Sequence, residues 1–164
     1  MAEKISGDIR QIRQRLEQLC ENCDDIIIRP MVLGREFQTR CLVVYVEAAV
    51  SNMMLEDSVI GKFLNHLWEL EGKEILQAVQ ENNLGISDVK ELAAMEECMA
   101  ALLAGNAVFF LEGYDQALKI GSKGYPGMGV AKAESEKVLR GSREAFSESV
   151  KINTALVRKR IRTT

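Results

Sequence analysis

Few residues in this sequence have the types and spacing that chemistry needs. There is one histidine, His66, two positions from the only tryptophan, Trp68. A single histidine inside a helical stretch has no Ser, Cys or Asp set beside it in sequence as nucleophile or orienting group. Of the four cysteines, Cys20 and Cys23 have Cys-x-x-Cys spacing, while Cys41 and Cys98 are isolated. A zinc site would need a second pair, and none follows. A redox motif would need a thiol at a helix N-terminus, whereas Cys23 follows a predicted helix C-terminus, where the dipole disfavours a thiolate. The cysteines are therefore read as free thiols in a reducing compartment. Glu47 and Glu112 each follow four large apolar residues, but nothing in the sequence sets these carboxylates across a substrate. The stretch from Gly121 to Gly129 carries Lys123 and Tyr125 among four glycines and one proline. It lacks the Gly-x-x-x-x-Gly-Lys-Ser/Thr order of a phosphate loop. The expectation is a protein without enzymatic activity, catalytic residues, metal or cofactor.

Charge narrows the partners. The 164 residues carry 21 Lys+Arg and 24 Asp+Glu, a net charge of -3, which argues against a general nucleic-acid binder. The distribution is uneven. Glu47 to Glu97 holds 11 acidic and 3 basic residues, and Arg140 to Thr164 holds 7 basic and 2 acidic ones. The basic end suits a solvated helix face, or contact with lipid headgroups, an acidic protein surface or nucleic acid. No apolar run approaches the ~20 residues of a membrane helix, so any membrane attachment is expected through sequence outside this chain or through a partner.

The elements that must position these residues follow from periodicity. Ile5, Ile9, Ile12, Leu16 and Leu19 predict an amphipathic helix over Glu3–Asn22. Strands are predicted near Ile26–Val32, Leu42–Glu47, Ala107–Leu111 and Gln116–Ile120. Pro30 suits an edge strand. The continuous apolar run Leu42–Val46 implies burial on both faces, with helices over the sheet. Val59, Phe63, Leu67 and Leu70 predict a helix, and a shorter one spans Lys73–Gln80. Val89–Leu92 reads either as a brief strand or as a helix start capped by Asp88. Met95 to Leu103 predicts a helix closed by Gly105. Gly113–Tyr114–Asp115 turns a hairpin, and Gly141–Ser142 opens a last helix running to about Ile161. The fold class is α/β, a small mixed sheet covered by helices with a long C-terminal linker helix. Residues 1–139 are expected to form the α/β subdomain, and residues 140–164 to hold the last helix. The runs Val43–Glu47 and Val108–Glu112 are similar, as two adjacent central strands ending at one edge would be.

Specific motifs lie in the second half. They are Val138-Leu139-Arg140-Gly141-Ser142-Arg143-Glu144-Ala145-Phe146, then Glu148, then Asn153-Thr154-Ala155-Leu156-Val157-Arg158-Lys159-Arg160-Ile161-Arg162. Upstream stand Leu103-Ala104-Gly105-Asn106, Phe110-Leu111-Glu112-Gly113-Tyr114-Asp115 and Gly124-Tyr125-Pro126-Gly127-Met128-Gly129-Val130. Together these resemble the GerA family of spore germination proteins, the A subunits of nutrient germinant receptors, over most of Asp24–Arg162. Ser142 stands where relatives often carry proline, and Met128 where arginine is common.

The resemblance implies the first part of a soluble N-terminal region that precedes a membrane domain, with residues 140–164 as a helix leading to a second subdomain outside this chain. It implies a part in nutrient-triggered germination, as a signalling or assembly domain in an ion-channel complex. The implied partners are B and C subunits and other A subunits, with a small nutrient ligand as a further candidate. The implied location is the spore inner membrane, with this domain on the spore-core side. A related protein encoded with the spore dipicolinic acid channel shares the architecture. Arg140, Arg143, Glu144, Arg158 and Arg160 are the expected ion-network or interface residues. Glu47 and Glu112 are candidate carboxylates to answer the arginines. Phe146, Val150, Val157 and Ile161 are expected to face the domain. Glu112, Tyr114, Lys123 and Tyr125 are the expected positions of a ligand site.

Overall fold

A computed structural model describes residues 3–34, 39–47, 59–81, 89–121 and 150–161. The side chains at 59–63, 72, 80, 151, 152, 155, 156, 159 and 160 also lie outside that description. The elements in chain order are helix α1 (Ile9–Leu19), strands β1 (Ile26–Leu33) and β2 (Thr39–Val46), helices α2 (Val59–Trp68) and α3 (Gly72–Gln80), strand β3 (Val89–Leu92), helix α4 (Met95–Leu103), strands β4 (Ala107–Leu111) and β5 (Ala117–Ile120), and helix α5 (Val150–Ile161).

The five strands form one sheet in the order β1-β2-β4-β5-β3. Alternation along the strands feeds two separate cores. Leu42, Val44 and Val46 of β2 join Val108 and Phe110 of β4 beneath α1 (Ile9, Ile12, Leu16) and α4 (Met95, Cys98, Leu102). Cys41, Val43 and Tyr45 join Phe109, Leu111, Leu118 and Ile120 against α2 (Leu67) and α3 (Ile75, Val79). The apolar run of β2 is thus explained by helices on both faces. Burying each of Phe109 and Phe110 contributes about 1.5–3 kcal/mol. The α/β class with helices over a sheet stands. Every described ladder is antiparallel, rather than the mixture of directions expected.

The four predicted strands are present, and Val89–Leu92 is a strand, paired with β5 as a sheet edge. Pro30 lies on the other edge strand. Because the carbonyl of Asp25 accepts from the amide of Glu47, residues of Asp25's parity face β2. Pro30, of opposite parity, turns its donorless nitrogen to the open edge, where no ladder bond is lost. Gly105 ends α4 with φ of 88°. Its amide donates to the Leu102 carbonyl and that of Asn106 to the Ala101 carbonyl, the two bonds of a Schellman cap.

Helix α1 is shorter than its apolar periodicity suggests. It starts at Ile9, capped by Asp8, whose carboxylate accepts from the Arg10 amide at 2.8 Å. Residues before it run extended instead. Lys4 bridges Ala94, the Glu3 carbonyl accepts from the Met95 amide, and the Gly7 carbonyl accepts from the Gly113 amide. Ile5 keeps its place in the core without helical backbone. The similar runs Val43–Glu47 and Val108–Glu112 do belong to adjacent central strands. Those strands are antiparallel, so their following glutamates leave at opposite ends of the sheet, not at one edge. The predicted boundary between residues 139 and 140 and the start of the last helix at Gly141–Ser142 lie outside the described residues.

Candidate functional site

The β4–β5 connection places Glu112 and Tyr114, two of the four positions expected to hold a ligand. Glu112 faces the start of α1, where its carboxylate accepts from the Ile9 amide at 3.2 Å and from the Arg40 guanidinium at 3.3 Å. It thereby satisfies one of the open N–H groups of the helix N-terminus. Tyr114 is buried, and its hydroxyl donates to Glu91 of β3 at 2.7 Å. Burial first, and the Glu91 hydrogen bond second, push the phenol above its ordinary value, so it stays protonated. Both side chains serve internal contacts that fasten the hairpin to α1 and β3. Lys123 and Tyr125 lie outside the described residues.

Glu47 is exposed at the far end of β2. Seven residues of strand separate it from Arg40, the neighbour of Glu112, or about 23 Å of extended chain. The two glutamates share no site, and they do not jointly answer one cluster of arginines. Arg140, Arg143 and Glu144 lie outside the described residues, as does Phe146, and so does the side chain of Arg160.

Arg158 is among the described residues. It stands on α5 and reaches the segment between α1 and β1. Its Nε and Nη2 donate to the two Asp25 oxygens at 2.6 and 2.5 Å, joining residues 133 positions apart. This is the fork-to-carboxylate geometry of strong charge-assisted pairs. Side-chain exposure is 13% for Arg158 and 18% for Asp25. The four other described ion pairs are all more exposed. The Arg158 hydrogen bonds hold the Asp25 carboxyl below its ordinary value, against the opposing effect of burial. Asp25 in turn holds the guanidinium firmly protonated, with Cys23 as a further hydrogen-bond partner.

That pair anchors one side of α5. Arg158, Asn153 and Thr154 are half-buried, whereas Val150 (78% exposed), Val157 (38%) and Ile161 (57%) face solvent. The expectation that these three apolar residues face the domain is therefore corrected. Among the described side chains of α5, Arg158 makes the contact that faces the domain. Asp25 itself had no signal in the sequence beyond an acidic pair before a strand.

The Cys-x-x-Cys pair forms the turn beneath this contact, with the Cys23 amide donating to the Cys20 carbonyl at 2.9 Å. Burial raises the Cys20 thiol to about 11. It raises Cys41 and Cys98 to about 12. These three thiols are protonated at neutral pH and are weak nucleophiles. Among the described residues, no group of three or more His, Cys, Asp or Glu is placed to hold a metal ion. None of the described helices is long and apolar enough to cross a membrane.

Comparison with known proteins places this geometry. The family model described as Bacillus/Clostridium GerA spore germination protein matches residues 14–164. The membrane protein YfkQ of Bacillus subtilis (strain 168) is 35% identical over 162 residues, 97% of this chain and 30% of YfkQ. Spore germination protein KA of the same organism is 25% identical over 138 residues, 84% of this chain and 25% of that protein. Stage V sporulation protein AF, also from that organism, is 35% identical over 92 residues, 56% of this chain and 19% of the relative. The chain thus spans under a third of these relatives. The crystal structure of the N-terminal domain of the A subunit of the Bacillus megaterium spore germinant receptor GerK3 shares the fold, with a TM-score of 0.71 at 19% identity. That match covers 99% of this chain and 58% of the other.

Proposed function

The chain belongs to the GerA family of spore germination proteins, and from that premise we propose that it is the N-terminal signalling and assembly domain of a germinant receptor A subunit. In this reading the full-length protein sits in the spore inner membrane with this domain on the spore-core side. It works with B and C subunits and further A subunits in a channel complex, and the domain itself carries no enzymatic step. The observation that supports assembly over direct nutrient sensing is the fate of Glu112 and Tyr114. Their polar groups are engaged by Ile9, Arg40 and Glu91, which supports a role for them in holding the hairpin to its neighbours.

The test is made on spores. The full-length gene is replaced by one lacking this domain, and loss of refractility after nutrient addition is followed. Nutrient germination is expected to fail and to return on complementation. A response equal to that of wild type refutes the reading. A second reading, the related protein encoded with the dipicolinic acid channel, draws on the 35% identity to stage V sporulation protein AF. It predicts that nutrient commitment survives the deletion while dipicolinic acid release is slowed.

A further inference from the structure

We propose that the outward face of α5 is a docking surface for an anionic lipid bilayer. It rests on the germination reading only for placing a membrane nearby; the surface itself is a property of this chain.

Three observations carry it. Among the described residues five large apolar side chains are exposed, and three of them, Val150, Val157 and Ile161, stand on α5. Their spacing of seven and then four positions sets them within about 40° of one another around the helix axis, as one stripe. Thr154 follows Val150 by four positions on that side, and its hydroxyl donates to the Val150 carbonyl at 2.9 Å. That hydroxyl is satisfied inside the helix, so leaving water costs it little. The charge along the segment has a single sign. Val150 to Thr164 holds five basic residues, Lys151, Arg158, Lys159, Arg160 and Arg162, and no acidic one. Arg158 is engaged by Asp25, which leaves the other four.

An apolar stripe on a wholly basic helix is the pattern that seats a helix in the headgroup region of anionic lipid. The aliphatic groups enter shallowly, and each nearby Lys or Arg adds about 1 kcal/mol of attraction. A stable protein contact engages about 20–30 residues a side, for which three aliphatic side chains are a small nucleus. The acidic stretch from Glu47 to Glu97, with 11 acidic and 3 basic residues, is repelled by the same lipid, so the approach is by way of α5.

The native chain is mixed with vesicles of phosphatidylcholine alone or with phosphatidylserine added, and the bound fraction is read by flotation. Binding is expected on the anionic vesicles only, with release in high salt. Val157→Asp combined with Ile161→Asp is expected to lower the partition coefficient about tenfold. Val32→Asp, at an exposed apolar residue of β1, is expected to leave it unchanged. Circular dichroism checks that each variant is folded. No binding to anionic vesicles overturns the proposal, as does equal binding to neutral ones. A double variant that binds like the native chain also overturns it, since the stripe then takes no part. So does light scattering that finds a native dimer which the double variant dissociates, because the stripe then belongs to a second copy. None of these failures touches the germination reading, which stands or falls on the spore phenotype.

Discussion

Val43 and Val44 are neighbours on the central strand β2, yet they belong to different cores, and this gives a sharp test of the three-layer arrangement. Val43 packs with the α2–α3 cluster and Val44 with the α1–α4 cluster, at 1% and 0% exposure. Replacing either by alanine removes two methyl groups. Transfer alone costs about 0.8 kcal/mol per group, and the incompletely collapsed cavity adds to it, so each variant should lose about 2–3 kcal/mol. The two side chains point to opposite sides of the sheet and share no packing partner. Their costs should therefore add to within about 0.5 kcal/mol in the double variant. Urea unfolding, followed by far-ultraviolet circular dichroism and by Trp68 fluorescence, measures all four proteins. Midpoints should fall while the slope stays constant, since the surface exposed on unfolding hardly changes. A cost near zero at either position would mean that face is not a packed layer. A double variant departing strongly from the sum would mean the two faces share a core, and the two-cluster reading would fail.

Asp8→Ala should cost about 1 kcal/mol, because the Ncap acceptor of the Arg10 amide is lost; urea unfolding reads it, and no loss would show that Glu112 alone caps α1. Gly105→Ala should cost about 1–2 kcal/mol, since φ of 88° drives a Cβ toward the following carbonyl; an unchanged melting midpoint would contradict that backbone. Asp25 has a depressed folded-state pKa, so the stability it contributes is present above its ordinary value of 3.8 and is lost as pH falls through the lower folded value. The melting difference between wild type and Asp25→Asn should therefore persist at pH values above 3.8 and shrink only below it. A difference already gone above that value would place the stabilisation elsewhere.

Much of the framework was legible because it depends on local pattern. The β-branched and aromatic runs of β1, β2 and β4 have no competing helical period, and two-sided burial of β2 follows from its lack of polar alternation. Gly105 was readable as a helix stop because an αL position after an apolar period favours glycine. The start of α1 was not readable in the same way. Ile5 continues the helical spacing, and only the partners of the extended segment, Ala94, Met95 and Gly113, reveal that it is not helical. Val89–Leu92 was ambiguous for a related reason. Four residues carry too little periodicity, and β5 decides the matter by pairing with them.

The candidate site was less legible, since charge pairing depends on distance in space. Glu47 and Glu112 look equivalent in sequence because each closes a buried strand. Antiparallel pairing of β2 with β4 sends them to opposite ends, and this one topological fact separates their roles. Arg158 sits in a basic run whose nearest acidic neighbour in sequence, Glu148, is ten positions away. Its partner is instead 133 residues earlier, beside the Cys20–Cys23 turn. The pair with Cys-x-x-Cys spacing, read from the sequence as free thiols, lies in three dimensions next to an ion pair. Val150, Val157 and Ile161 lie on the outward side of the same helix, away from that contact. A doubly hydrogen-bonded, largely desolvated charge pair anchors Arg158 to the turn before β1. Asp25→Asn is therefore expected to loosen the hold on α5, measured as a lower melting midpoint, whereas Val150→Ala, at a side chain 78% exposed, is expected to leave that midpoint unchanged.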